Sequence, residues 1–171
     1  WFGAALYRAL HARADRVHAI SRYCASRARR YGYRGDIFLI PNGIDSGIFN
    51  PSPLPPAARL RARSMARALP GERIVFTASR LEEKNGIDIL VRAFALLANE
   101  GGFSARLVVA GIGTEEARLK RLVRSLGIAG SVSFLGYLSH TDMVPVLKSA
   151  EIFVRPSRSE GLGNAFLEAM A

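Results

Sequence analysis

From about residue 70 the chain alternates short β-branched runs with stretches of helical periodicity, and this alternation limits the possible fold more than any other feature. "RIVFTAS" (73–79), "RLVVAG" (106–111), "VSFLG" (132–136) and "IFVRPS" (152–157) read as strands. Their apolar character is continuous rather than alternating, as in a parallel sheet covered on both faces. Between them, "GIDILVRAFALLANE", "TEEARLKRLVRSLG" and "HTDMVPVLKSA" carry apolar residues at helical spacing. Thr114 ahead of Glu115 and Glu116 suits a helix start, and Gly127 a helix stop. The predicted class is α/β, with a doubly wound parallel sheet.

The first part of the chain follows a different pattern. "ADRVHAIS" and "DIFLI" read as two strands flanking a basic helix, "RYCASRARRYG". "PNGIDSGIFNPSPLPP" then gathers Pro and Gly as a domain junction does. Residues 1–41 are read as the tail of an upstream domain, and 42–171 as most of a second. The chain has 171 residues, 49% of them hydrophobic, enough for a core without disulfide staples. The single cysteine, Cys24, can form no internal bridge, which fits a reducing compartment or a small half-buried packing role. No apolar run reaches the roughly 18 residues of a membrane span. Opening on Trp1 rather than Met, the chain is expected to be a piece of something longer.

The net charge is +10, carried mostly by Arg; Lys occurs only at Lys84, Lys120 and Lys148. Such an excess serves a nucleic acid, an anionic lipid surface or a phosphorylated ligand, or is a solvated surface. No RNA-binding pattern of interleaved aromatics is present.

The less ordinary residues collect where strands end. "SRLEEKNG" with Arg80 and Lys84 follows the first strand of the second domain, and "GIGTEE" the second. "GYLSH" follows the third strand and "RPSRSEGLG" the fourth. Open α/β sheets bind ligands at this edge. Arg80 and Lys84 suit a diphosphate, Arg by forking onto oxygens and Lys as a point charge. The alternative is a solvated pair balanced by Glu82 and Glu83. "GIGTEE" lacks the third glycine of a dinucleotide fingerprint, although Gly111 and Gly113 still permit close backbone approach.

"SEGLGNAFLEAMA" holds two glutamates eight positions apart. On one helix they would be separated by roughly 12 Å, beyond the roughly 5–9.5 Å of a glycosidase carboxylate pair. Gly161 and Gly163 are instead expected to keep Glu160 in a turn, with a helix N-capped by Asn164. Its free N–H groups would face the crevice of Arg80 and Lys84. Phe166, Leu167 and Met170 are expected to be buried, so that Glu168 needs a partner; a ligand hydroxyl or the helix dipole would serve.

Together these segments resemble the retaining glycosyltransferases of family 4, which have the GT-B fold. "EGLGNAFLEAMA" is similar to that family's E-x7-E motif, "SRLEEKNG" to its Arg-x3-Lys donor loop, and "IPNGID" to its domain junction. The resemblance implies a truncated Rossmann-like C-terminal donor domain preceded by the tail of the N-terminal domain. It implies Arg80, Lys84 and Glu160 as catalytic residues, the cations on the diphosphate and Glu160 on the sugar hydroxyls. Glu168 would bind the ribose, and Gly161, Leu162 and Gly163 would offer backbone N–H groups. Tyr137 and Leu138 would cradle the base, and Gly111 would line the cleft. The implied reaction transfers a sugar from a nucleotide-diphosphate donor to a hydroxyl of a sugar or lipid-linked acceptor, with retention and by front-face attack. No D-x-D stretch occurs, so neither metal nor cofactor is expected. The implied setting is cytoplasmic, with peripheral contact on the anionic inner face of a membrane and no nucleic acid. The family's upstream glycine-rich loop and active-site histidine have no counterpart, so no transfer is expected from this piece alone. A sugar-nucleotide epimerase or sugar phosphorylase of the same fold, and a non-catalytic basic binding module, are the alternatives.

Overall fold

A computed structural model describes residues 2–101 and 103–171. The chain divides into two compact units: the residues up to Ile44 together with Glu160–Asn164, and Asp45–Ser159 together with Ala165–Ala171.

The first unit contains α1 (Phe2–Arg13), β1 (Val17–Ala19), α2 (Arg22–Arg30) and β2 (Ile37–Leu39). β1 and β2 pair in parallel, Val17 opposite Ile37. Ser21 caps α2 by accepting the amide of Cys24 at 3.2 Å. Arg27, Arg29 and Arg30 occupy the last turn of α2, where cations complement the helix dipole. The buried Tyr33 hydroxyl lies 3.1 Å from the Asp15 carbonyl and 3.0 Å from that of Asp36, just ahead of the two strands.

The second unit begins with α3 (Pro56–Met65), absent from the sequence-based pattern. Its opening proline needs no amide partner and has a helical φ already. There follow β3 (Arg73–Ala78), α4 (Ile87–Asn99), β4 (Ala105–Ala110), α5 (Glu116–Ser125), β5 (Val132–Gly136), α6 (His140–Ser149), β6 (Ile152–Phe153) and α7 (Asn164–Met170). The four strands form one parallel sheet of order β5-β4-β3-β6. α4 packs with α5, and α3 with α6. Right-handed crossovers put these pairs on opposite faces, because the chain winds from β3 to β5 and then returns beyond β3. All six residues of β4, Arg106 among them, and five of the six in β3 are buried, as their largely apolar runs require. Val75, Leu107 and Val109 share one core with Leu90, Val91, Phe94 and Leu119 of α4 and α5.

The expectation for β6 was too long. Pairing stops after Phe153, with one further bond from the Val154 amide to the Phe76 carbonyl at 2.9 Å. Pro156 has no amide to continue the ladder. At the amino end of the sheet, Arg106 pairs with Glu72 at 2.9 Å, both nearly buried. Burial opposes ionisation of Glu72, but the Leu69 amide and Arg106 outweigh it and hold the carboxyl below its usual range.

Candidate functional site

In this strand order the winding reverses between β3 and β6, so the loops leaving their carboxyl ends part to opposite faces and leave a crevice. The loop after β3 carries Arg80 and Lys84. Leu81 and Asn85, at 0% and 2% exposure, turn into the core and leave the two cations exposed between them. The Asn85 side-chain amide donates to the Arg80 carbonyl at 2.5 Å, and the Glu83–Asn85 segment closes a 3-10 turn. Gly86, at φ +67°, then starts α4. Among the described residues, no carboxylate lies within 4 Å of either cation. Glu82 instead accepts the Thr114 hydroxyl at 3.0 Å. The balanced ion-pair alternative therefore has no direct contact behind it.

The loop after β4 is fastened to this one. The Leu81 amide donates to the Ile112 carbonyl, and the Glu115 amide to that of Leu81, both at 2.9 Å. Gly111 and Gly113 make this possible: a Cβ on Gly113 would lie 2.6 Å from the Leu81 carbonyl carbon, and one on Gly111 would overlap the Ser79 carbonyl. The Gly111 amide reaches the Gly136 carbonyl at the end of β5 at 2.6 Å. Beyond it, Tyr137 is 74% exposed, Leu138 half-buried, and Ser139 caps α6 through the Asp142 amide.

From the β6 side, Arg158 reaches the turn of Lys84. Its amide donates to the Lys84 carbonyl at 2.8 Å, and its guanidinium to the Glu83 carbonyl at 2.5 Å and Asp88 at 2.7 Å. The Arg158 hydrogen bond outweighs partial burial and holds the Asp88 carboxyl below its usual range. Nothing in the sequence pattern singled out Arg158.

The residues of "EGLGN" belong to the first unit. There Glu160 and Leu162 are half-buried and Gly163 is buried. Gly161 sits so that a Cβ would meet Cys24 Sγ at 3.0 Å and Ile20 at 3.4 Å. Asn164 starts α7 as its first helical residue, and its side-chain oxygen accepts from Asn42 at 2.9 Å rather than serving as the expected cap.

The expected burial of the helix is corrected. Phe166 is 38% and Met170 83% exposed; Phe166 has an edge contact with Phe153, and nothing among the described residues covers Met170. Glu168 is half-buried and borders a cavity of about 250 Å³ with the 49–54 segment, Arg59 and Lys148. Arg80, Lys84, Gly111 and Tyr137 do not line that cavity.

Residues 62–171 match the family model for glycosyl transferases group 1, and residues 1–47 that for glycosyltransferase family 4. The chain belongs to the group 1 glycosyl transferases. Among curated members, it is 33% identical over 167 residues to a GDP-mannose-dependent α-(1-6)-phosphatidylinositol monomannoside mannosyltransferase of Mycolicibacterium smegmatis, covering 92% of this chain and 42% of that protein. It is 32% identical over 145 residues to mannosylfructose-phosphate synthase of Agrobacterium fabrum, covering 81% and 31%. The chain thus spans less than half the length of these glycosyl transferases. Of solved structures, Anabaena HepE with UDP and glucose superimposes with a TM-score of 0.85 at 22% identity, over 99% of this chain and 46% of that one. Sucrose-phosphate synthase of Thermosynechococcus elongatus gives 0.82 at 26%, over 98% and 41%. These relatives are GT-B glycosyltransferases, and the second unit is a Rossmann-like α/β domain of that fold.

Proposed function

We propose that this chain supplies the donor side of a glycosyltransferase, with the diphosphate of a nucleotide sugar held in the crevice between β3 and β6. The observation that carries the reading is the pair of exposed cations, Arg80 and Lys84, without an acidic partner among the described residues and set on a braced turn at the switch point of the sheet. Two cations on a braced turn stabilise the charge that develops on a leaving diphosphate, so this chemistry runs without a metal ion. Glu160 contacts the sugar hydroxyls, Glu168 the ribose, Gly161–Gly163 the phosphate and sugar through backbone N–H groups, and Tyr137 and Leu138 the base. Gly111 keeps the cleft wall free of a side chain. The sugar passes to a hydroxyl of a sugar or lipid-linked acceptor with retention at the anomeric carbon.

Residues 1–41 are the tail of the acceptor-side domain in this reading, and 42–171 the donor domain. The first segment carries eight Arg against two Asp, which favours peripheral contact with the anionic cytoplasmic face of a membrane. Among the described residues no helix is long and apolar enough to cross one. Support for the donor class comes from the relatives, one a GDP-mannose-dependent phosphatidylinositol monomannoside mannosyltransferase and one holding UDP and glucose.

Calorimetric titration of the intact protein with UDP-glucose and GDP-mannose, beside a single-stranded oligonucleotide, tests the proposal. Saturable binding of a nucleotide sugar, weakened in Arg80→Ala, is expected. Oligonucleotide binding that falls steeply with salt, with neither nucleotide sugar bound, would replace this reading with a basic binding module.

A further inference from the structure

We infer that Arg158 is a positioning residue that spans the crevice and fixes the turn presenting Lys84, with Asp88 setting its guanidinium; this rests on the crevice being the diphosphate site. β3 and β6 are neighbours, yet their outgoing loops belong to opposite sides of the switch point. Arg158 is the residue by which the second loop grips the first, through three hydrogen bonds to the Glu83 carbonyl, the Lys84 carbonyl and Asp88. Gly86 permits the approach, since a Cβ there would overlap the Pro156 carbonyl oxygen and lie 3.1 Å from its carbon.

The chemistry of the turn explains why such a clamp matters. The carbonyls of Glu83 and Lys84 are partial negative charges beside the place proposed for a diphosphate. Donors from Arg158 occupy both oxygens, which holds them away from an anion and fixes the backbone that aims the Lys84 ammonium. The guanidinium charge is itself matched by Asp88 at 2.7 Å. Arg158 therefore adds little net charge to the crevice and acts through Lys84, whose exposed side chain has rotamers to lose on binding.

The test is a double-mutant cycle in the intact protein, read by calorimetric affinity for UDP and GDP, with uridine and guanosine as diphosphate-free controls. Arg158→Ala is expected to weaken binding of the favoured diphosphate by roughly tenfold while leaving nucleoside binding unchanged. In a Lys84→Ala background the same change is expected to have almost no further effect. Arg158→Lys, which keeps the charge but cannot fork onto Glu83 and Asp88, should not rescue, and Asp88→Asn should reproduce part of the loss. The last two preserve volume and carry the test if Arg158→Ala does not fold. Equal losses in the wild-type and Lys84→Ala backgrounds would overturn the positioning role, as would unchanged diphosphate affinity in Arg158→Ala. If diphosphate affinity ignores Arg80 and Lys84 as well, the site reading itself fails; dependence on Lys84 without dependence on Arg158 refutes this inference alone.

Discussion

Replacing Gly111 with alanine probes whether the loops after β3 and β4 form one packed body. Gly111 has φ +133°, a conformation that L-residues rarely adopt, and holding alanine there costs about 1–3 kcal/mol. The new methyl would overlap the Ser79 carbonyl oxygen and lie 2.9 Å from its carbon. Carbon atoms rest at about 3.5–4.0 Å, so the Ser79–Arg80 peptide must retreat by roughly 1 Å. Ser79 is tied by its amide to the Ala110 carbonyl at 3.1 Å, so that retreat disturbs the sheet end as well. Overpacking of this kind adds about 1–3 kcal/mol. The total, about 2–6 kcal/mol, is a large part of a usual stability of about 5–15 kcal/mol. Urea unfolding should show a lower midpoint with an unchanged slope, and the folded fraction should bind nucleotide more weakly because Arg80 has moved. Gly130→Ala is the control, since nothing lies within 4 Å of the place its methyl would take and its φ is ordinary. A Gly111→Ala protein within about 0.5 kcal/mol of wild type, level with that control, would refute the packing argument.

Three further outcomes are expected. In a full-length enzyme that contains this chain, Arg80→Ala and Lys84→Ala should each fold normally yet lower turnover at saturating donor by on the order of 10²–10³, because charge grows on the leaving group; wild-type rates in both would remove the diphosphate site. Glu168→Gln should weaken nucleoside diphosphate binding by about 1.5–3 kcal/mol, with little loss of stability because the carboxylate makes no hydrogen bond among the described residues; unchanged affinity returns Glu168 to a structural role. At the opposite end of the sheet, Arg106→Ala should cost about 3 kcal/mol by stranding the buried Glu72 carboxylate. Glu72 is held below its ordinary 4.5, so its contribution is complete above that value and vanishes as pH falls through the lower folded value. Glu72→Gln should flatten that part of an acid unfolding series, and an unaltered acid slope would count against the pair.

The parts of the fold that sequence revealed are those where burial on two faces forces a nearly continuous apolar run, as in β3 and β4. α3 escaped notice because it begins inside a proline cluster and mixes Arg with Ala along its length. The exposure of Phe166 and Met170 was also hidden, since an apolar helix in sequence carries no statement of what covers it. Arg80 and Lys84 stood out because charge beside glycine after a strand is legible locally. Arg158 did not, because its partners lie 70 and more positions earlier and meet it only once β6 takes its place next to β3. Strand adjacency of that sort is a property of the assembled sheet.

The two banks of the crevice are carried by strands of unequal grip. β3 makes six ladder pairs with β4, whereas β6 holds to β3 by two, Val75 with Ile152 and Phe76 with Phe153. One bank is therefore a fixed anvil, and the other is a short-rooted segment whose order depends on what it touches. Local opening draws on the least-bonded parts of a structure, so the order of the segment from Val154 to Ser159 rests on the Val154 amide and the bonds of Arg155 and Arg158 rather than on strand pairing. Loss of those few bonds would free the second bank while leaving the first in place.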